Sequence, residues 1–284
     1  MVVIGDTAQR TIAQLLVTVY RKSQLLPPYL YTHAHVHGEG EYLHLSDKEA
    51  LFGMMLHAIT KQLDRRLCLY IEFSGIEKKM FAYRQFREAG YFPVGWQEVY
   101  NSLHSKNPKQ RLSAKMIERI DKLTQKGVET HEVNTQQEIH DFYSLLKKYY
   151  RLKPRRHIPA CQYFEGMAAS KVAKIFVTTY KGKIIGGCTC VYHQGNVYLW
   201  HLAAKRKTYA TLHPDLMTVW NIIQRSHQQQ YRHIHFMDVG LPWTKNSFRD
   251  FILSFGGKPV AKFRWFRFYS HFINVILKWL YKSK

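Results

Sequence analysis

The chain has 284 residues, of which 46% are hydrophobic, and a formal net charge of +22. This length and composition allow two folding units with their own cores and exclude a disordered or low-complexity protein. The charge is uneven: residues 1–100 hold 11 Lys/Arg and 10 Asp/Glu, whereas residues 101–284 hold 31 and 10. A basic second half favours phosphate-bearing partners such as a nucleotide donor, RNA or an anionic membrane surface. The alternative is a generally basic surface that aids solubility.

Four cysteines form no CxxC pair, so we expect free thiols in a reducing cytoplasm. The sequence shows no signal peptide and no run of about 18 apolar residues that would span a membrane. We therefore expect a cytoplasmic protein that is either soluble or peripheral at the inner face of the membrane.

The first half reads as antiparallel strands, a helix, a strand, a second helix and another strand. The strands are predicted at residues 11–20, 29–36, 66–73 and 90–100, and the helices at 47–63 and 79–89. A charged, helical connector follows at residues 105–127, and Gly127 is predicted to end it.

The second half begins with helices at 135–150 and 164–169. Three strands joined by Lys181-Gly182-Lys183 and Gln194-Gly195-Asn196 turns predict an antiparallel meander at 172–180, 184–193 and 197–203. A helix at 214–230, a short strand, a helix, Phe255-Gly256-Gly257 and a last strand complete the pattern. This order repeats that of the first half (LYIEF…FRQFREAGYFPV against HFMDV…FRDFILSFGGKPV), which indicates an internal duplication.

The stretch IHFMDVGLPWTKNSFRDFILSFGGKPV, from Ile234 to Val260, resembles the closing motif of FemABX-type and GNAT-like acyltransferases. Residues 109–128, 137–150 and 174–203 are similar to that family's connector helix, following helix and strand meander, in the same order. The resemblance implies an α/β fold of tandem GNAT-like units with mixed sheets, the first unit truncated. The expected domains are a truncated first unit at 1–104, a connector at 105–128, a second unit at 129–268 and a basic amphipathic helix at 269–284.

The resemblance implies an N-acyltransferase in which an acceptor amine attacks an activated acyl group without a covalent enzyme intermediate. Family members carry Lys where this chain has Ile252, so acyl-CoA is the expected donor, while the basic second half keeps aminoacyl-tRNA open. No permanently bound cofactor is expected. The expected acceptor is the amine of an amino sugar or a cell-envelope precursor, which includes lipid-linked ones. The oligomeric state is left open.

Acyl transfer requires the phosphates of the donor to be held. In GNAT enzymes the donor phosphates lie at the start of the helix that follows the fourth strand. In this sequence residues 203–213 lead into that helix. The family's glycine-rich signature is missing, so binding would depend on side chains, and the alternative is a solvated basic loop. The candidate donor-binding residues are Lys205, Arg206, Lys207 and Thr208.

Asp238, at the end of a short apolar strand, is a candidate base, and a structural acid that caps the next turn is the alternative. Tyr198 and His201 lie on the strand beside the expected donor cleft and are further catalytic candidates, although a strand histidine is more often a packing residue. Trp200 is out of phase with His201 and is a candidate for substrate binding.

Arg155 and Arg156 form a basic loop that is expected to meet an anionic acceptor such as a nucleotide sugar. His33, His35 and His37 alternate along a strand and would share one face. A metal site is therefore conceivable, and an exposed strand end is the alternative. Because no second ligand cluster is evident and the resembling family needs no metal, we assign them none.

The tail from Lys258 to Lys284 carries seven Lys/Arg and no acid, with apolar residues at helical spacing. It is predicted either to dock on the first half or to lie on an anionic membrane. A second overall hypothesis is a non-catalytic RNA- or membrane-binding protein on a degenerate acyltransferase scaffold, which the truncation and the missing glycine and lysine signatures favour.

Overall fold

The structure is a computed structural model that describes residues 1–5, 10–24, 29–43, 47–64, 68–76, 78–151, 158–237 and 239–282. Its strands are β1 (Val2–Gly5), β2 (Thr11–Leu15), β3 (Val17–Gln24), β4 (Tyr29–His37), β5 (Glu41–Tyr42), β6 (Cys68–Ser74), β7 (Phe92–Ser102), β8 (Glu129–Glu132), β9 (Ala173–Tyr180), β10 (Lys183–His193), β11 (Asn196–Ala204), β12 (His233–Phe236) and β13 (Lys258–Phe268). Its helices are α1 (Lys48–Asp64), α2 (Tyr83–Glu88), α3 (Ala114–Gln125), α4 (Gln136–Tyr150), α5 (Cys161–Ala169), α6 (Pro214–Gln228), α7 (Ser247–Leu253) and α8 (His271–Lys282).

Local signals explain why most of these elements form where the sequence predicts them. The side chain of Ser113 accepts a hydrogen bond from the backbone N–H of Met116 at the start of α3, and Thr135 and Glu138 form a capping box at the start of α4. Lys181-Gly182 and Gln194-Gly195 all have positive φ, which is the backbone of two-residue hairpin turns. The predicted meander of β9, β10 and β11 is therefore confirmed.

The structure differs from the prediction where segments are short. The strands β1, β5 and β8 have two to four residues, too few to give a periodic signal. The strand predicted at 11–20 is two strands, because the chain leaves the pairing at the exposed Leu16 and β2 and β3 join different sheets.

The chain folds into two compact units. The first comprises residues 1–97, 241–244 and 261–284. In it β1, β2 and β5 form a small antiparallel sheet, while β3 pairs antiparallel with β4, β4 parallel with β6, and β6 antiparallel with β13. The helix α1 makes the crossover between β4 and β6. The core of the first unit is rich in aromatic side chains, and the ring centroids of Phe86 and Trp265 stack 4.6 Å apart.

The second unit comprises residues 98–240 and 245–260. Its sheet runs β7-β12-β11-β10-β9-β8, in which β11 and β12 are parallel and their other neighbours antiparallel. Residues of α3, α6 and α7 pack with one face of the sheet, and residues of α4 and α5 pack with the other. Cys188 and Cys190 are both buried in the first of these layers, as alternation along β10 predicts.

The same order of elements occurs twice along the chain: two antiparallel strands, a crossover helix, a parallel strand, a helix and a final strand. The first series is β3, β4, α1, β6, α2 and β7, and the second is β10, β11, α6, β12, α7 and β13. The α/β class with mixed sheets is thus confirmed. The predicted domain boundaries stay a prediction. The helix α3, predicted as part of a connector, contributes Met116, Ile120 and Leu123 to the core of the second unit. None of the described helices has the length and apolar character needed to cross a bilayer.

Candidate active site

In the second unit, two parallel strands stop pairing part-way along β11. The strands β11 and β12 pair over four residues each, from Asn196 opposite His233 to Leu199 opposite Phe236. Beyond this point β11 continues to Ala204, whereas β12 ends at Phe236. The carboxyl ends of parallel strands are where α/β proteins most often bind ligands, because side chains and loops converge there.

A β-bulge in β11 directly follows its last residue that pairs with β12. Thr189 of β10 is opposite His201, and the next residue, Cys190, is opposite Leu199, so Trp200 is the extra residue of the bulge. A bulge bends its strand and changes the direction of the side chains that follow. The Trp200 side chain is exposed and that of His201 is buried, as the sequence predicts for residues out of phase.

Three rings form a row across the strands next to the point where the β11–β12 pairing ends. Tyr100 of β7 and Tyr198 of β11 are the register partners of His235 on β12. The ring centroid of His235 lies 4.0 Å from that of Tyr100 and 4.6 Å from that of Tyr198. Because side chains alternate along a strand, the row faces away from the core packed around Phe236 and Leu199.

A buried carboxylate extends the row. The hydroxyl of Tyr100 donates a hydrogen bond of 2.9 Å to Oε2 of Glu98, which lies two residues earlier on the same face of β7. Glu98 is 9% exposed. We call Glu98, Tyr100, Tyr198 and His235 the strand-end cluster. It combines an acid, an imidazole and two phenols, which are the groups that proteins use to accept and relay protons.

Sequence reasoning identified only Tyr198 among these four residues. The alternation in QEVYNS and HIHF places Glu98, Tyr100 and His235 on polar faces. The sequence does not reveal that β7 and β12, which are more than 100 residues apart, are neighbours in the sheet.

His201, predicted as a catalytic candidate, lies inside the protein. Its Nδ1 is 2.9 Å from Oγ1 of Thr189, and its ring packs against Phe164 of α5 at a centroid distance of 5.4 Å. Both surroundings suit the packing role that was the alternative for this residue. Its catalytic role stays a prediction.

The four candidate donor-binding residues follow β11 and precede α6. Nζ of Lys205 donates a hydrogen bond to the carbonyl of Ile184, and Arg206 forms an ion pair of 2.7 Å with Asp215. The guanidinium of Arg206 also lies over the ring of Phe251. The side chains of Lys207 and Thr208 are exposed.

The amino terminus of α6 is held close to the sheet. Glycine at position 186 of β10 permits this approach, since a Cβ there would lie 2.8 Å from Oγ1 of Thr218 and 3.1 Å from the carbonyl of Pro214. His213, the residue before α6, has a left-handed backbone, and its side chain makes no capping hydrogen bond to the helix. Backbone N–H groups at a helix amino terminus attract anions, so this helix start is a suitable place for a phosphate.

Three predicted site residues, Asp238, Arg155 and Arg156, lie outside the described residues. Their roles stay predictions.

Within the described residues of the second unit, two concave surfaces lie away from the strand-end cluster. A groove of about 420 Å³ between α3 and α6 is lined by Lys109, Asp121 and Trp220, among others. A smaller one of about 260 Å³ lies beside Asn221 and Arg225. Neither includes a residue of the cluster. We place the site at the strand ends because the titratable groups converge there, and shape alone supplies no chemistry.

The alternating histidines of the first unit lie on β4. Nε2 of His35 is 2.7 Å, and Nδ1 of His37 is 3.1 Å, from Oγ of Ser74. The ring of His33 stacks between those of Tyr20 and Tyr70. These contacts give the histidines hydrogen-bonding and stacking roles.

Residues 110–245 match the family model described as Acetyltransferase (GNAT) domain. This segment, just under half of the chain, is similar to a GNAT domain, and it includes Tyr198 and His235 of the strand-end cluster. The expected likeness to FemABX-type and GNAT-like acyltransferases is confirmed, and with it the expectation that the chain is an acyltransferase. Among curated proteins, none matches the chain.

Solved structures share the fold across almost the whole chain. One is the C-terminal domain of a protein described as a lysylphosphatidylglycerol synthetase from Agrobacterium fabrum. Its TM-score is 0.64 at 9% identity, and the alignment covers 99% of this chain and 87% of that one. The L-PGS of Bacillus licheniformis has a TM-score of 0.59 at 13% identity, covering 99% and 89%. A FemX structure has a TM-score of 0.63 at 9% identity, covering 97% and 89%.

Proposed function

We propose that this chain is an N-acyltransferase of FemABX/GNAT type that joins an activated acyl group to an acceptor amine at the strand-end cluster. The observation that carries this proposal is the end of the β11–β12 pairing beside Glu98, Tyr100, Tyr198 and His235 within a GNAT-like fold. The acyl group is proposed to lie beyond this last strand pair, with the four side chains along the approach of the amine.

The reaction needs a neutral amine, because an ammonium has no lone pair with which to attack. The cluster accepts the proton that leaves the amine, with Glu98 and His235 as acceptors and the two tyrosines as neighbours that hold them. The amine nitrogen then bonds to the acyl carbon, and the bond from that carbon to the donor's leaving group breaks. The nitrogen loses its second proton as the amide forms, and the leaving thiolate or ribose oxygen takes up that proton as it departs. Asp238 is proposed as a further base at the end of β12.

We favour acyl-CoA as the donor over aminoacyl-tRNA. Ile252, which occupies the position of the family's lysine, is fully buried, and an aliphatic side chain there offers no charge to an aminoacyl ester. The phosphates are proposed to lie at the start of α6, beside Lys207 and Thr208. Because Lys205 and Arg206 already have partners within the chain, their contribution to the donor is indirect, through the shape of the 205–213 segment.

We propose an amine-bearing amino sugar or cell-envelope precursor as the acceptor, with Arg155, Arg156 and Trp200 contacting it. The exposed indole of Trp200 follows Leu199, where the pairing with β12 ends, and offers a surface on which a sugar ring could stack. A lipid-linked acceptor would bring the reaction to an anionic membrane surface at the cytoplasmic face.

The test is transfer of radiolabel to amine acceptors. The donors are [14C]acetyl-CoA and [14C]lysyl-tRNA, and the acceptors are glucosamine and a nucleotide-linked amino sugar. We expect a labelled product with acetyl-CoA and little with lysyl-tRNA. Label from lysyl-tRNA alone would reverse the donor assignment, and no label with either would favour the second function below.

A second candidate function is non-catalytic binding of RNA or membrane on this scaffold. The intramolecular partners of Lys205 and Arg206 favour it, because they reduce the cations that a donor would use. A gel-shift titration with tRNA at 50 and 200 mM salt separates the two. Tight, salt-dependent binding without CoA binding would support the second function.

A further inference from the structure

The last helix of the first unit, α8, has an asparagine on its inward side and an apolar face towards solvent. Asn274 and Tyr281 face the unit: Nδ2 of Asn274 donates to the carbonyl of Gly90, and the ring of Tyr281 stacks near that of Phe92. The Asn274 side chain also accepts a hydrogen bond from the backbone N–H of Phe268. These contacts fix which side of α8 points outward.

The outward side is apolar. Phe272 and Trp279 are 74% and 71% exposed, Val275 and Leu280 about half, and Ile276 is exposed as well. These positions follow the 3 and 4 residue spacing of one helical face. A surface helix ordinarily turns polar residues to water, and a continuous exposed apolar face marks an interaction surface.

Charge indicates what this face meets. From Phe251 to Lys284 the sequence contains seven Lys/Arg and no acid. Positions 271 and 278 hold His and Lys, and their helical spacing places them in one stripe with Val275, along the border of the apolar face. An apolar face that carries tryptophan and has a basic border complements the boundary between anionic headgroups and acyl chains.

We propose that α8 is an interfacial helix that docks the first unit on an anionic lipid surface, with Phe272, Trp279 and Leu280 inserted at the acyl boundary. Its 12 residues give a length of about 18 Å, too short to cross a bilayer of about 30 Å, so the helix lies in the plane of the surface. The inference deepens the membrane location given under the proposed function, but the binding itself needs no catalysis.

The test is sedimentation of the full chain with vesicles of phosphatidylcholine containing 30% phosphatidylglycerol, against phosphatidylcholine alone. We expect binding to the anionic vesicles with a blue shift of tryptophan fluorescence. The double variant F272S/W279S should bind at least tenfold more weakly, and Lys278→Glu severalfold more weakly to anionic vesicles. Met54→Ser is the control, because it removes an exposed apolar side chain from α1 of the same unit. Because Phe272, Trp279 and Met54 are exposed, the double variant and the control should retain the thermal midpoint of the parent. Lys278 is half-buried, so the binding of its variant is compared at equal folded fraction.

Three results would overturn the inference: absence of vesicle binding by the parent chain, equal binding by F272S/W279S, or a dimer in sedimentation velocity that this double variant dissolves. The last result would assign the face to a second copy of the chain. Transfer of acetyl to soluble glucosamine should be the same in the double variant. Loss of vesicle binding with no transfer activity in any protein would leave the docking helix standing and reject the proposed function.

Discussion

Tyr198 and His235 face each other across the parallel strands β11 and β12, with ring centroids 4.6 Å apart and planes inclined by 28°. One residue further along, at Leu199 and Phe236, the pairing described for these strands ends. The two rings therefore lie one residue before the end of the strand pairing, where we propose that a donor carbonyl and an acceptor amine meet. This contact connects the fold to the proposed chemistry.

His201 should prove to be a packing residue. His201→Ala removes the contacts with Thr189 and Phe164 inside the protein, so we expect a loss of about 2–3 kcal/mol in unfolding free energy. The folded fraction should keep its kcat. Urea denaturation and transfer kinetics measured below the unfolding transition test this, and a large fall in kcat with unchanged stability would restore the catalytic assignment.

Close packing of α4 on the sheet depends on Gly187. A Cβ there would lie 2.7 Å from the carbonyl of Phe176 and 2.8 Å from the ring of Phe142, so Gly187→Ala should destabilise the protein by about 1–3 kcal/mol. Gly166→Ala is the matched control, because nothing lies within 4 Å of a Cβ at that exposed position of α5. It should stabilise by up to about 1 kcal/mol. Thermal unfolding should give opposite signs for the two variants, and equal shifts would contradict the packing described.

Two neighbouring cations should behave differently. Arg206→Ala breaks the partly exposed ion pair with Asp215 and should lower stability by about 0.5–1 kcal/mol. Lys207→Ala should leave stability unchanged and raise KM for acetyl-CoA roughly threefold to tenfold, since one charge-assisted phosphate contact is lost. Initial-rate kinetics measure the KM for acetyl-CoA, and isothermal titration with CoA measures the affinity for the donor. Unchanged CoA affinity in the Lys207 variant would place the phosphates elsewhere.

His233 should contribute to loss of stability in acid. Burial, and then the nearby His104 and Arg232, hold the pKa of His233 below its ordinary value of 6.5. The unfolded chain therefore binds a proton at this residue more readily than the folded protein does. Its contribution to stability is present above pH 6.5 and is lost as the pH falls through 6.5 towards the lowered pKa. Urea midpoints at pH 7.5 and 5.5 should differ less in His233→Gln than in the parent, and identical differences would exclude this origin.

Local features of the sequence predicted much of the fold. Capping residues such as Thr135, the glycine turns at Gly182 and Gly195, and hydrophobic periodicity all act within a few residues of one another. The strand-end cluster depends instead on which strands are neighbours. His235 meets Tyr100 because β12 pairs with β7, and this pairing is set by packing of the whole unit. For the same reason the sequence did not distinguish His201, which points into the core, from His235, which lies in the row.

The donor-binding segment shows a similar limit. Its basic composition predicted a phosphate site, but the partners of Lys205 and Arg206 are set by tertiary contacts with Ile184 and Asp215. A run of cations in sequence therefore does not give the number of cations that a ligand meets.

The proposed reaction brings an acyl group to an amine beside the strand-end cluster. The most direct test measures transfer of [14C]acetyl from acetyl-CoA to glucosamine by the parent chain, His235→Ala and the control His193→Ala, whose histidine is exposed at a hairpin. We predict that His235→Ala lowers kcat by about 100-fold, with the fold intact by circular dichroism, while His193→Ala matches the parent. Equal kcat in all three proteins would contradict the account.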